Sequence, residues 1–206
     1  YFADPWESNI GFYDGNEFTD IDSLTDVPLL DIWGIENPET NDLTVWTGGF
    51  NDNNGETILL ANHGEDWELV SDLYLYPAMQ DTISSLIISI WTSPYSNLYV
   101  NTGAGIYIAN YNTQGEAELV YEYPIFSAYI KRIRGNSDND IFIAGINGDM
   151  RHFNGETWYT YDELRDEDAD LTGLAFSGNT VVAVGWCHSG FGENQGVIIR
   201  GIRSGE

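Results

Sequence analysis

The groups from which this 206-residue chain could assemble a reactive site are three histidines, one cysteine and 33 aspartates and glutamates. His63, His152 and His188 lie far apart in the sequence, and with Cys187 they are too sparse for a zinc constellation. A serine triad needs a histidine ordered by an acid beside a nucleophile, and no Gly-x-Ser-x-Gly turn is present to carry one. Paired carboxylates for glycoside hydrolysis remain open in so acidic a chain, because their separation is a three-dimensional quantity. Calcium is the one metal the composition could serve. Asn51-Asp52-Asn53-Asn54 and Asn136-Ser137-Asp138-Asn139-Asp140 offer hard oxygen ligands, yet neither follows the Asp-x-Asp-x-Asp-Gly loop with its distal Glu. Turn formation accounts for both runs more simply, so no cofactor is expected. Lys131, Arg132 and Arg134 form the only dense basic cluster. Alternation sends Arg132 and Arg134 to one side of a strand, where they are read as partners for surrounding acids.

The bulk charge removes whole classes of function. A net charge of −26 excludes ordinary nucleic-acid binding, which draws its affinity from clustered Lys and Arg, and it disfavours anionic membrane surfaces. High acidity with a single lysine keeps a protein soluble by repulsion and suits a saline or extracellular setting. One cysteine leaves no intrachain disulfide and barely constrains the compartment. No apolar run approaches the roughly 18 residues of a membrane span, so no membrane insertion is expected.

The elements that must position these groups are read from a recurring turn. Asp14-Gly15, His63-Gly64 and Asn154-Gly155 each follow an apolar strand and lead three positions later to an aromatic residue, Phe18, Trp67 and Trp158; a degenerate copy surrounds Gly115. Glycine beside Asp, Asn or His is what a tight hairpin with positive φ requires. Around these turns lie short runs rich in β-branched and aromatic residues, four to a repeat, at a spacing of roughly 40 to 50 residues. Leu29–Gly34, Leu43–Gly48, Glu56–Ala61 and Trp67–Val70 make one such quartet. Four-stranded antiparallel repeats of that period are β-propeller blades.

The chain is therefore expected to be all-β, a single propeller domain over residues 1–206. It divides into a partial blade at 1–24, blades at about 25–74, 75–124 and 125–165, and a partial blade at 166–206. Three complete and two partial blades leave the first without its innermost strand. This predicts a larger ring, with the parent protein longer at its N-terminus; the rival is a five-bladed ring with an irregular seam. Trp33 and Trp91 fall at matching inner-strand positions, where they are expected to pack between blades.

Asp31-Ile32-Trp33-Gly34, the Asn136–Gly145 stretch and Arg151-His152-Phe153-Asn154-Gly155-Glu156-Thr157-Trp158 resemble a degenerate bacterial propeller repeat, in which an Ile-Trp-Gly strand precedes a Ser-x-x-Asp turn and a His-Tyr-Asp-Gly-x-x-Trp hairpin. The resemblance implies secretion or attachment to a cell surface and assigns no activity. In such blades the loops joining second to third strands share a face with those leading to the next blade. Here they are the longest and carry Trp6, Phe50, Asp52, Tyr76, Trp186, His188, Phe191 and Glu193. Aromatic planes mixed with carboxylates suit a glycan or a protein partner. The expectation is a noncatalytic extracellular propeller binding glycan or a surface protein on this face. Two alternatives stand beside it: an assembly module of a larger surface protein, self-associating through an open blade edge, and a glycosidase with channel carboxylates.

Overall fold

The structure is a computed structural model and describes residues 2–4, 9–21, 28–50, 57–64, 66–73, 86–94, 97–102, 105–111, 117–123, 129–165, 168–189 and 193–203. Its five sheets are antiparallel and follow one another along the chain. The first holds β1 (Phe2–Asp4), β2 (Asn9–Tyr13) and β3 (Phe18–Ile21); the second β4 (Leu29–Glu36), β5 (Leu43–Phe50), β6 (Thr57–Asn62) and β7 (Trp67–Leu73). The third holds β8 (Ile87–Trp91), β9 (Leu98–Thr102), β10 (Gly105–Tyr111) and β11 (Ala117–Tyr123); the fourth β12 (Ile130–Ser137), β13 (Asp140–Gly145), β14 (Met150–Phe153) and β15 (Trp158–Thr160). The fifth holds β16 (Ala169–Ser177), β17 (Thr180–Ser189) and β18 (Glu193–Ile202). Within each four-stranded sheet the spatial order is the sequence order, which is the meander of a propeller blade. The fold is a β-propeller built of four-stranded blades, with three-stranded sheets first and last.

Apolar layers between successive blades hold them together. Ile10 packs with Leu29 and Leu60 between blades 1 and 2. Trp46 and Leu59 meet Ile87, Ile90 and Tyr107 between blades 2 and 3. Trp91, Tyr99 and Ile106 meet Ile133, Ile143 and Phe153 between blades 3 and 4, and Phe142 and Met150 meet Leu171, Leu174 and Ala183 between blades 4 and 5. A blade flanked on both sides buries both faces, which is why β8, β9 and β13 are buried at every position and read as apolar runs rather than alternating ones.

The repeated hairpin turns behave as their sequences require. Gly15, Gly64 and Gly155 all carry φ near +100°, a region where side chains are strained. Asp14 and Asn154 close their turns by accepting two backbone N–H groups each. Those bonds stabilise the charged form of Asp14 and lower its pKa.

A second repeated device, unannounced by the turns, lies at the start of the inner strands. β4, β8, β12 and β16 each carry a bulge after a buried aliphatic residue, Leu29, Ile87, Ile130 and Leu171. Opposite it stands Gly49, Thr102, Gly145 or Gly185. A Cβ on the three glycines would collide with the carbonyl oxygens of Pro28, Tyr129 and Asp170. The bulge re-aims the inner strand, and glycine leaves room for its displaced carbonyl.

The last hairpin corrects one expectation. The sequence reading places Trp186, His188 and Glu193 on a loop, but β17 continues through His188 to Ser189 and β18 begins at Glu193, with Trp186 opposite Gly196 and His188 opposite Asn194. The alternating Val182–Val184–Trp186 pattern sustains the strand, and the His188 N–H donates to the Asp168 carbonyl at its end.

Candidate functional site

Among the described residues, the three carboxylates that are buried are each held by an arginine. Asp31, on the inner strand of blade 2, accepts both Nη groups of Arg134 at 3.2 Å, the Ser89 hydroxyl at 2.7 Å and the Ile90 N–H at 2.9 Å. Nη1 of Arg134 also lies within 3.1 Å of the Ser89 hydroxyl and the Ile90 carbonyl, and the guanidinium sits 4.6 Å over the Trp33 ring. The Trp33 indole in turn donates to the Thr92 carbonyl at 2.6 Å. One acid and one arginine thus tie the inner strands of blades 2, 3 and 4. Arg132 takes the same side, donating to the Ile88 carbonyl. Of the basic cluster expected to pair with surrounding acids, Arg134 does so, whereas Arg132 serves a carbonyl and Lys131 sits over the Tyr129 ring; Trp33 and Trp91 pack between blades as expected.

Asp149 receives Nε and Nη2 of Arg151 at 2.9 and 2.7 Å. Asp140 receives Nη2 of Arg203 and Nε2 of His152 (2.8 Å) on one oxygen, and the Asn136 amide (3.1 Å) on the other. Within the Asn136–Asp140 run, Asp138 accepts the Asn97 N–H and amide and the Tyr99 hydroxyl from the neighbouring blade. These oxygens are committed to donors, as a turn reading requires. No cluster of three or more His, Cys, Asp or Glu suited to a metal occurs among the described residues; Asn51-Asp52-Asn53-Asn54 falls outside them.

The Asp140 cluster floors a cavity of about 430 Å³ between blades 4 and 5. Phe142, Met150, Tyr161, Leu164, Phe176, Val181 and Ile199 give it apolar walls, and His152, Glu163, Asn179, Arg200 and Arg203 its polar edge. Phe142 organises the aromatic wall: His152 stacks on it at 4.3 Å, Tyr161 lies at 6.4 Å, and Phe176 meets it edge-on at 4.9 Å. Tyr161 reaches the cavity because a single 3-10 turn, Asp162–Leu164, folds back from the end of β15. Burial, with Tyr159 and Glu163 adding, raises its pKa, so the phenol stays protonated and can donate a hydrogen bond. Concave, mainly apolar, with a few convergent polar groups, this space has the character of a ligand pocket.

Of the eight residues expected to bind ligand, the three with described side chains, Phe50, Trp186 and His188, do not line it. Trp6, Asp52, Tyr76 and Phe191 lie outside the described residues, and only the backbone of Glu193 is described, in β18. Phe50 ends β5 in blade 2 and is half-buried, while Trp186 and His188 stand exposed on β17 in blade 5. The structure does not bring these three together.

Trp186 belongs instead to an apolar sheet face. Val184 opposes Ile198, and Thr180 opposes Ile202, so the exposed Val184, Trp186, Ile198 and Ile202 share one side of β17 and β18. The other side, through Val181, Ala183, Val197 and Ile199, packs on blade 4.

No family model matches this chain, and no curated protein matches it. The chain is similar to the crystal structure of Sqt1 from Saccharomyces cerevisiae, at 17% sequence identity and a TM-score of 0.50, over 81% of this chain and 46% of that one. It therefore spans about half of that protein's length, and the likeness, one of propeller fold, shows the fold alone. It is also similar to YCF48 bound to D1 peptide, at 13% identity and a TM-score of 0.43, over 88% of this chain and 71% of that one.

Proposed function

We propose that this chain is a noncatalytic propeller that binds a protein partner, seating a peptide segment in the cavity between blades 4 and 5. The observation that carries the reading is the cavity itself: an aromatic wall around Phe142, edged by groups that can hydrogen-bond a backbone or side chain. The acids argue for binding over chemistry. Asp140 already accepts three donors, and the buried Asp31 and Asp149 are neutralised by Arg134 and Arg151. A carboxylate that must donate or take a proton needs a free oxygen facing the substrate.

The test is selection from a phage-displayed peptide library on the purified chain, followed by binding to Leu164→Arg and Asn179→Arg, two changes at the edge of the cavity. Selected peptides should bind the parent chain and lose affinity for both variants. Peptides indifferent to both would remove the cavity from the reading. Specific glycan-array binding with no peptide selected would replace a protein partner by a sugar.

A second reading, assembly, draws on the Val184–Trp186–Ile198–Ile202 face. In every blade pair described above, such a face is covered by the next sheet, and an exposed apolar patch of this kind marks a contact surface.

A further inference from the structure

We infer that a second copy of this chain docks on blade 5, stacking its own blade 1 head to tail on the Val184–Trp186–Ile198–Ile202 face; this rests on the assembly reading above. The two exposed faces are the two halves of the interface that the fold repeats between its own blades.

Blade 5 presents the half that looks onward. In each blade the residue just before the bulge partner, on the second strand, turns to the blade that follows. In blade 2 this is Gly48, where a Cβ would fall 2.7 and 2.8 Å from Ile87 and Ile90 of blade 3. In blade 3 it is the buried Asn101, whose amide donates to the Ile130 carbonyl of blade 4. In blade 4 it is Ala144, at 0% exposure in the layer shared with blade 5. The same position in blade 5 is Val184, 42% exposed, and Trp186, Ile198 and Ile202 extend its face.

Blade 1 presents the half that looks back. In blade 4, Phe153 and Trp158 pair across the Gly155 hairpin with rings 5.1 Å apart and pack on blade 3, leaving Phe153 6% exposed. Tyr13 and Phe18 pair in the same way across the Gly15 hairpin, their rings stacked at 4.5 Å. Ile10, on the other side of β2, packs on blade 2 as Met150 packs on blade 5, so the Tyr13–Phe18 pair looks away from blade 2. It stands 48% and 68% exposed.

Charge selects between unlike and like faces. Arg200 is exposed on the blade 5 face, across the ladder from Val182. Asp14 and Glu17 are exposed beside Tyr13 and Phe18, and residues 1–24 contain no lysine or arginine. Blade 1 on blade 5 therefore joins opposite charges, whereas two blade 5 faces would bring two copies of Arg200 into one contact. A contact between unlike faces is heterologous, so every copy offers both halves.

Sedimentation velocity tests this in 1 M sodium chloride, where repulsion between chains of net charge −26 is screened beyond about 3 Å. The parent chain should self-associate. Phe18→Asp and Ile198→Asp, both at exposed positions, should each weaken association at least about tenfold. An equimolar mixture of the two should recover a dimer and nothing larger, because one variant keeps the blade 5 face and the other the blade 1 face. Association lost in Ile198→Asp but kept in Phe18→Asp would overturn head-to-tail stacking while leaving assembly through blade 5 intact. Absence of recovery on mixing, with both variants unfolding in urea at the parent's midpoint, would overturn the stacking as well. A parent chain that stays monomeric at every concentration would overturn the stacking and the assembly reading together.

Discussion

Replacing Arg134 by methionine probes the bond that ties three blades together. The guanidinium is 12% exposed and Asp31 7% exposed, so the substitution strands a carboxylate where water cannot reach it freely. Asp31 would keep the Ser89 hydroxyl and the Ile90 N–H, which together cannot neutralise its charge. Removing one partner of a buried pair costs about 3–5 kcal/mol; the two retained donors place this case near the lower end, at about 3 kcal/mol. Loss of the cation over the Trp33 ring adds a smaller term, and methionine fills most of the vacated volume. With a urea m-value of about 2–3 kcal/mol/M for a chain of this size, the unfolding midpoint should fall by about 1 M. Asp31→Asn should cost less, because it removes the charge that needs compensation, and the double variant should fall short of the sum by about 2 kcal/mol. Urea titration followed by tryptophan fluorescence reads both numbers, with Trp33 reporting from beneath the guanidinium. A cost below about 1 kcal/mol with additive single changes is what a solvent-exposed ion pair gives, and it would refute this account of the inner strands.

Gly145→Ala should destabilise the fold by about 3 kcal/mol, because the new Cβ would collide with the Tyr129 carbonyl, while Gly15→Ala, strained in φ but facing open space, should cost about 1 kcal/mol. The same urea titration compares them, and equal costs would show that the bulge does not need its glycine. Ile198→Asp should leave the unfolding midpoint within about 0.5 kcal/mol of the parent, since Ile198 is 76% exposed, but should lower any self-association seen by sedimentation velocity. Unchanged association would clear the Val184–Ile198 face of that role.

Blade number, the strand quartets and the hairpin turns were legible because each is local. A glycine with positive φ, an aromatic three residues on and a run of β-branched residues all act within one hairpin, so the sequence alone specifies them. The long-loop site was not legible in the same way, since it assumed that 186–194 left the sheet. The Val182–Val184–Trp186 alternation is the signal that β17 continues. The bulge glycines stand in the sequence as Gly48-Gly49, Ala144-Gly145 and Val184-Gly185, but their purpose depends on a carbonyl from a distant part of the chain. The Asp140 cluster was out of reach altogether: His152, Asn136 and Arg203 converge from β14, β12 and the end of β18, and no spacing rule connects them.

The distribution of arginine joins these findings. A stack of blades needs little electrostatics where its layers are apolar, and blades 1 to 3 are packed with no lysine or arginine of their own. Blade 4 supplies the exception by sending Arg134 back to Asp31 of blade 2, two blades away, so its cation stabilises a neighbour's acid rather than its own surface. Arg203 repeats that logic from blade 5 to Asp140 of blade 4. Each step fixes one guanidinium against a carboxylate of a preceding blade.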